Sequence, residues 1–178
     1  MKLIKETKIR LKYMNGFDRQ TKDVSEIVIH GTGGGQSAQA IIDWMLGGER
    51  KDLYNAGIGL FHYLIDFNGD VHEIINPDKW VYHSEAGNHD KNTIGIELMN
   101  PIAGNGGGYR LEQYTALKEL IIDLLHQYSE INSIVSHDAN RNKYSNLKPK
   151  PCPGGLFDWT QIEEVATNSG KKITIERG

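Results

Sequence analysis

Apolar residues along the chain follow two spacings, and these divide it into strands and helices. Ile27-Val28-Ile29 is a short β-branched run with no polar break, which predicts a strand buried on both faces. It ends at His30 and enters the glycine run Gly31-Thr32-Gly33-Gly34-Gly35. Residues 37–46 then take helical spacing, with Ala40, Ile41, Trp44 and Met45 expected on one face, Ser37 as N-cap and Gly47-Gly48 as the stop. Residues 61–67 and 71–75 flank Asn68-Gly69, a dipeptide suited to a two-residue type I′ hairpin turn.

A further strand is expected over 93–98. The longest helix is expected over 111–129, where Leu111, Tyr114, Leu117, Ile121, Leu124 and Tyr128 form one stripe. Ile134-Val135 predicts another strand ending at His137, and Asp158 with Gln161 reads as a variant capping box opening a last helix. This order implies an α/β fold: a single domain with a central mixed β-sheet flanked by helices. Residues 1–23 read as an N-terminal extension or edge strand, 24–168 as the functional domain and 169–178 as a C-terminal tail.

Composition narrows the function classes. The 178 residues carry Lys+Arg 20 against Asp+Glu 23, a net charge of −3. That balance argues against a nucleic-acid or anionic-membrane binder. No apolar run approaches the ~18 residues of a membrane span, and the charged start shows no apolar signal core, so synthesis in the cytoplasm without a signal peptide is expected. The single cysteine, Cys152, excludes an intrachain disulfide. Much of the glycine excess lies in the runs 31–35 and 104–108, which predict loops. The first lacks the Gly-Lys-Ser/Thr ending of a phosphate loop and reads as a groove rim.

Two strands end alike, at His30 and at His137, and Cys152 follows between prolines 15 residues after His137. Two strand-end histidines and a thiolate form a set that zinc accepts tetrahedrally with one open position. The same residues also suit satisfied buried histidines and a small core thiol. His62, His72, His89 and His126 are expected to be structural or exposed, with His126 opposite the apolar stripe of its helix.

Five stretches in order carry a more specific pattern. They are Ile27-Val28-Ile29-His30; Phe61-His62-Tyr63-Leu64-Ile65-Asp66 with Asn68-Gly69; Tyr82-His83 followed by Gly87; Asn92-Thr93-Ile94-Gly95-Ile96-Glu97-Leu98; and Ser136-His137 with Lys150-Pro151-Cys152-Pro153-Gly154. Together they resemble the type-2 N-acetylmuramoyl-L-alanine amidases, a family that includes phage lysozymes, cytoplasmic muropeptide amidases and peptidoglycan-recognition proteins. The resemblance spans roughly residues 24–168. It implies Zn2+ held by His30, His137 and Cys152, and cleavage of the amide joining muramic acid to L-alanine in peptidoglycan or a muropeptide.

By the same resemblance Glu97 is the catalytic base and Lys150 stabilises charge at the reacting carbonyl. His83 matches a substrate-binding histidine, in a stretch that departs from the family's Trp-His-Ala-Gly. The phage enzymes' catalytic tyrosine falls where this chain has Phe61, so Tyr63, expected on the same strand face, does not inherit that role. The resemblance further implies a phage-type endolysin, reaching the wall after release, or a wall-recycling enzyme, with a monomer expected. Two other classes stay in play. A non-catalytic peptidoglycan receptor is disfavoured by Cys152 and Glu97. A Cys-His hydrolase is disfavoured by the prolines flanking Cys152.

Overall fold

The computed structural model describes residues 5–6, 16–35, 37–46, 60–100 and 108–178. The Gly47-Gly48 stop, residues 104–107 of the second glycine run and most of the N-terminal segment lie outside them. The elements run β1 (Lys5–Glu6), β2 (Phe17–Asp18), β3 (Glu26–Gly31), α1 (Ala38–Leu46), β4 (Tyr63–Ile65), β5 (Val71–Glu73), β6 (Lys79–Trp80) and β7 (Thr93–Leu98). They continue with α2 (Leu111–Gln127), β8 (Ser133–Ser136), α3 (His137–Tyr144), α4 (Thr160–Asn168) and β9 (Thr174–Glu176). Short 3-10 turns occupy Thr21–Asp23 and Gly87–Asn92.

Seven strands form one sheet in the order β1-β5-β4-β7-β3-β8-β9, and β2 pairs with β6 in a separate two-stranded ribbon. In the main sheet the β4–β5 pair is antiparallel and the others are parallel, so the sheet is mixed as expected. The N-terminal segment contributes β1 at one edge, and the stretch read as a C-terminal tail contributes β9 at the other. None of the described helices is long and apolar enough to cross a membrane.

The sheet buries a different cluster on each face. Ile27, Ile29, Ile94, Ile96, Leu98 and Ile134 pack with Leu117, Ile121, Leu124 and Tyr128 of α2 and with Ile162 and Val165 of α4. On the other face Leu64, Phe61, Val81 and Met99 pack with Ile41 and Met45 of α1. Strand alternation makes this division: within β7 the isoleucines face α2, while Gly95 and Glu97 face the opposite way.

Several local expectations change. The β4–β5 connection is not a type I′ turn, since Asn68 lacks the positive φ that turn requires. The Gly69 amide bonds the Asp66 carbonyl, so Phe67 and Asn68 are the central residues, followed by Gly69 at φ 75°. The cause is Asp66, whose carboxylate accepts from the amides of Asn68 and Asp70, both at 2.9 Å. Tyr63 belongs to the α2-side cluster and Phe61 to the α1-side cluster, so they do not share a face. Between them His62 is a bend whose carbonyl accepts from both Ile74 and Ile75, which breaks the alternation.

Ser37 caps α1 as expected, its hydroxyl accepting from the Ala40 amide at 3.1 Å. The buried face is Ile41, Ile42 and Met45, and Trp44 is 61% exposed. α2 ends at Gln127, and Leu111, expected on its stripe, is its first residue and is 72% exposed, while Tyr114 one turn on is buried. The Asp158 carboxylate bonds the Thr160 amide and the Gln161 side chain. The expected box does not form: the cap position of α4 falls at Trp159, and the Asp158 amide donates to the Tyr114 hydroxyl at 2.7 Å.

Candidate metal centre

Parallel register brings the chemistry together. Pairing of Ile29 with Ser136 sets His30 beside His137, and on the other side His30 pairs with Glu97. Three residues distant in sequence thus meet at the carboxyl ends of three adjacent strands, where open α/β sheets place ligands. β8 ends one residue earlier than expected. Ser136 becomes an N-cap, its hydroxyl accepting from the Ala139 amide at 2.9 Å, and His137 opens α3.

The loop carrying Cys152 closes over this end. The Cys152 carbonyl accepts from the Asp138 amide at 3.2 Å, and the Gly31 amide points at Cys152 Sγ at 3.3 Å. A side chain at Gly31 would meet the Tyr109 hydroxyl at 2.3 Å, and that hydroxyl in turn donates to the Pro153 carbonyl at 2.7 Å. The glycine is therefore required by close approach. His30, His137 and Cys152 each offer a donor atom, all within 4.8 Å of one another.

Whether a metal fits is decided by the spare donor atoms. His137 Nε2 is buried with no hydrogen-bond partner, so it is left over for a ligand. His30 Nε2 is taken by His83 Nδ1 at 2.9 Å, which leaves His30 Nδ1. A buried nitrogen without a partner costs free energy unless a ligand meets it. Burial holds His30 well below, and His137 down to about 4 from, the ordinary histidine value, so both rings are neutral donors at neutral pH. Burial pushes the metal-free Cys152 thiol up to about 12, with the neighbouring Glu97 adding to the rise. The donor set fits a thiophilic divalent ion.

The three donors sit in a cleft of about 720 Å³, lined also by Gly31, Thr32, Gly33, Ile41, Trp44, Phe61, Tyr82, His83, Glu85, Glu97 and Lys150. The first glycine run is thus a groove rim, as expected. Glu97 Oε2 is buried without a hydrogen-bond partner, and burial pushes its carboxyl up to about 8 while the Lys150 charge pulls the other way. Lys150 is exposed on the cleft wall, its amide tied to Asp138 Oδ1 at 2.8 Å.

His83 lies behind His30 with 2% of its side chain exposed, and both ring nitrogens have protein partners: His30 Nε2 at 2.9 Å and Thr93 Oγ1 at 2.7 Å. The other histidines are structural or exposed, as expected. His62 is fully buried between the Gly95 amide and the Lys79 carbonyl, His72 bonds Asp66, His89 bonds Glu26, and His126 is exposed. Sequence reading missed the Thr93 hydroxyl that meets His83 Nε2 at 2.7 Å, for which strand spacing carries no signal. It also missed the exposure of Trp44, because helical spacing alone assigned that ring to the core.

Comparison with known proteins agrees with this geometry. The family model described as N-acetylmuramoyl-L-alanine amidase matches residues 20–155. No curated protein sequence matches the chain. Among solved structures, the N-acetylmuramoyl-L-alanine amidase LysC from Clostridium intestinale superposes with TM-score 0.60 at 20% identity, covering 83% of this chain and 86% of that one. A selenomethionine derivative of AmpD superposes with TM-score 0.63 at 23% identity, covering 84% and 89%. Bumblebee PGRP-SA does so with TM-score 0.61 at 15% identity, covering 86% and 88%. These likenesses are of fold, whereas the sequence match extends over most of the chain and takes in His30, His137 and Cys152. The chain belongs to the N-acetylmuramoyl-L-alanine amidase family.

Proposed function

We propose that this chain is a zinc-dependent amidase that hydrolyses the bond between N-acetylmuramic acid and L-alanine in peptidoglycan, as a phage-type endolysin or a wall-recycling enzyme. The observation carrying the proposal is the set of His30, His137 and Cys152 donor atoms within 4.8 Å on the wall of the cleft that also holds Glu97. Zinc held by His30 Nδ1, His137 Nε2 and Cys152 Sγ would supply Lewis acidity and a more acidic water.

The remaining work falls to the chain's own groups. Glu97 Oε2, buried and unpartnered, is free to accept a proton from the attacking water and deliver it to the leaving amine. In the metal-free chain its placement in a poorly solvated wall raises the carboxyl above the ordinary carboxylate range. Lys150, which lines the cleft and whose charge acts on Glu97, is the group we assign to stabilising negative charge on the carbonyl oxygen. Glycine rim residues let a polymer backbone approach closely, and the exposed Trp44 ring offers a flat apolar surface beside the donors.

A Cys152 nucleophile is disfavoured. Such a thiol needs a depressed pKa, and here burial raises it. Mass analysis of products from purified sacculi and from a soluble muropeptide tests the proposal. Release of intact stem peptides beginning with L-alanine, abolished by a chelator and restored by zinc, is expected. Binding of sacculi without any cleavage would overturn it in favour of a receptor.

A further inference from the structure

We propose that His83 is a positioning residue: it fixes the proton of His30 on Nε2, so that Nδ1 is the lone pair left for the metal. The inference rests on the zinc reading above and follows from counting protons along one chain of contacts. The Thr93 hydroxyl has a single proton and donates it to the Asp90 carbonyl at 2.9 Å. Its oxygen must therefore accept on the other side, and the group there is His83 Nε2 at 2.7 Å. His83 Nε2 thus carries a proton. The buried Asp90 carboxylate, with Oδ1 3.9 Å from the same nitrogen, favours that placement.

With Nε2 protonated in a neutral ring, His83 Nδ1 is an acceptor. It faces His30 Nε2 at 2.9 Å, so His30 donates there and keeps its own lone pair on Nδ1. Reversing the chain would turn the Thr93 oxygen's lone pairs toward the Asp90 carbonyl and put a lone pair of His83 toward a carboxylate. Metal-bound histidines commonly have the second nitrogen held in this manner, by a carboxylate or carbonyl. Here a second imidazole does the holding.

Two further observations belong to the same arrangement. The next residue, Ser84, donates its amide to Asp90 Oδ1 at 3.2 Å, so the carboxylate beside His83 Nε2 is itself held in place. Gly95 gives His83 its space: a Cβ there would stand 2.8 Å from His83 Cγ and Nδ1. That accounts for a glycine inside a buried strand, where it otherwise weakens packing.

The test begins with metal-free, 15N-labelled wild-type protein. Long-range proton–nitrogen correlation spectra are expected to show both His30 and His83 as Nε2–H tautomers. Zinc affinity measured by chelator competition should fall about 10–100-fold in His83→Ala. It should largely recover in His83→Asn, whose amide oxygen can accept where Nδ1 did. His30 found as the Nδ1–H form overturns the proposal, as does a folded His83→Ala variant with wild-type zinc affinity. The wild-type spectrum decides the matter even where the alanine variant fails to fold. Wild-type protein that binds no zinc defeats the amidase reading. Wild-type protein that binds zinc with His30 in the Nδ1–H form defeats this inference alone.

Discussion

The two faces of strands β3 and β7 use the same backbone for opposite purposes. Toward α2 the sheet presents Ile27, Ile29, Ile94, Ile96 and Leu98, all with no measurable exposure. Toward the cleft it presents His30, Gly95 and Glu97 on the intervening positions. The first face is interchangeable hydrocarbon that stabilises the fold through burial. The second leaves Glu97 Oε2 buried without a partner, as the adjoining start of α3 leaves His137 Nε2, and each is a cost to folding. One face supplies the stability that the other consumes, and a rigid sheet lets both do so one residue apart.

Substitutions on the cleft face should separate activity from stability most widely. Glu97→Gln is expected to lower turnover by roughly 10²–10⁴ while zinc content stays at wild type, measured by steady-state kinetics with metal analysis. Lys150→Ala should lower kcat by about 10²–10³ with little change in KM or in the unfolding midpoint, as for loss of one oxyanion donor. Unchanged kcat would return Lys150 to a solvated loop position.

On the opposite face the pattern inverts. Ile96→Ala should cost about 2–5 kcal/mol in urea unfolding, with little loss of turnover per folded, zinc-loaded molecule. A further contrast comes from pH. In the metal-free chain burial raises the Glu97 carboxyl from 4.5 to about 8, so folding favours its protonated form. That contribution is complete below pH 4.5 and is lost as pH rises through 8. Denaturant midpoints of metal-free protein should fall across this window, and Glu97→Gln should flatten the slope. The smallest effect is expected from Tyr63→Phe, which lies on the α2 side and should leave turnover within a few-fold of wild type. A larger loss would reassign the base.

Much of this was legible in the sequence, for identifiable reasons. Ile27-Val28-Ile29-His30 and Ile134-Val135 announce buried parallel strands, and parallel register then does the rest by setting His30 beside His137. What escaped depends on partners that spacing cannot supply. Trp44 has helical spacing with Ile41 but stands at the cleft, and only the position of the sheet decides that. The Asn68-Gly69 turn was misread because Asp66, two residues earlier, competes for the turn amides. α3 carries few apolar residues and so lacks a periodic signal; its start is fixed by the Ser136 cap. The resemblance implies a substrate role for His83, which lines the cleft; its contacts to Thr93 and its space beside Gly95 carry no signal in its own stretch of sequence.

The central place of β3 has a consequence for synthesis. Its partners are both late: Glu26 pairs with Thr93 on one side and with Ser133 on the other. At typical translation rates, the 133 − 26 = 107 residues separating Glu26 from Ser133 take on the order of 5–20 s to emerge. Until then Ile27-Val28-Ile29 is an apolar strand in the nascent chain with at least one edge unpaired, open to association with other copies. Long-range parallel pairing of this kind is also intrinsically slow once the chain is free. High-level expression is therefore expected to lose product to inclusion bodies through this segment. Slower translation or a lower growth temperature is the remedy that the topology itself recommends.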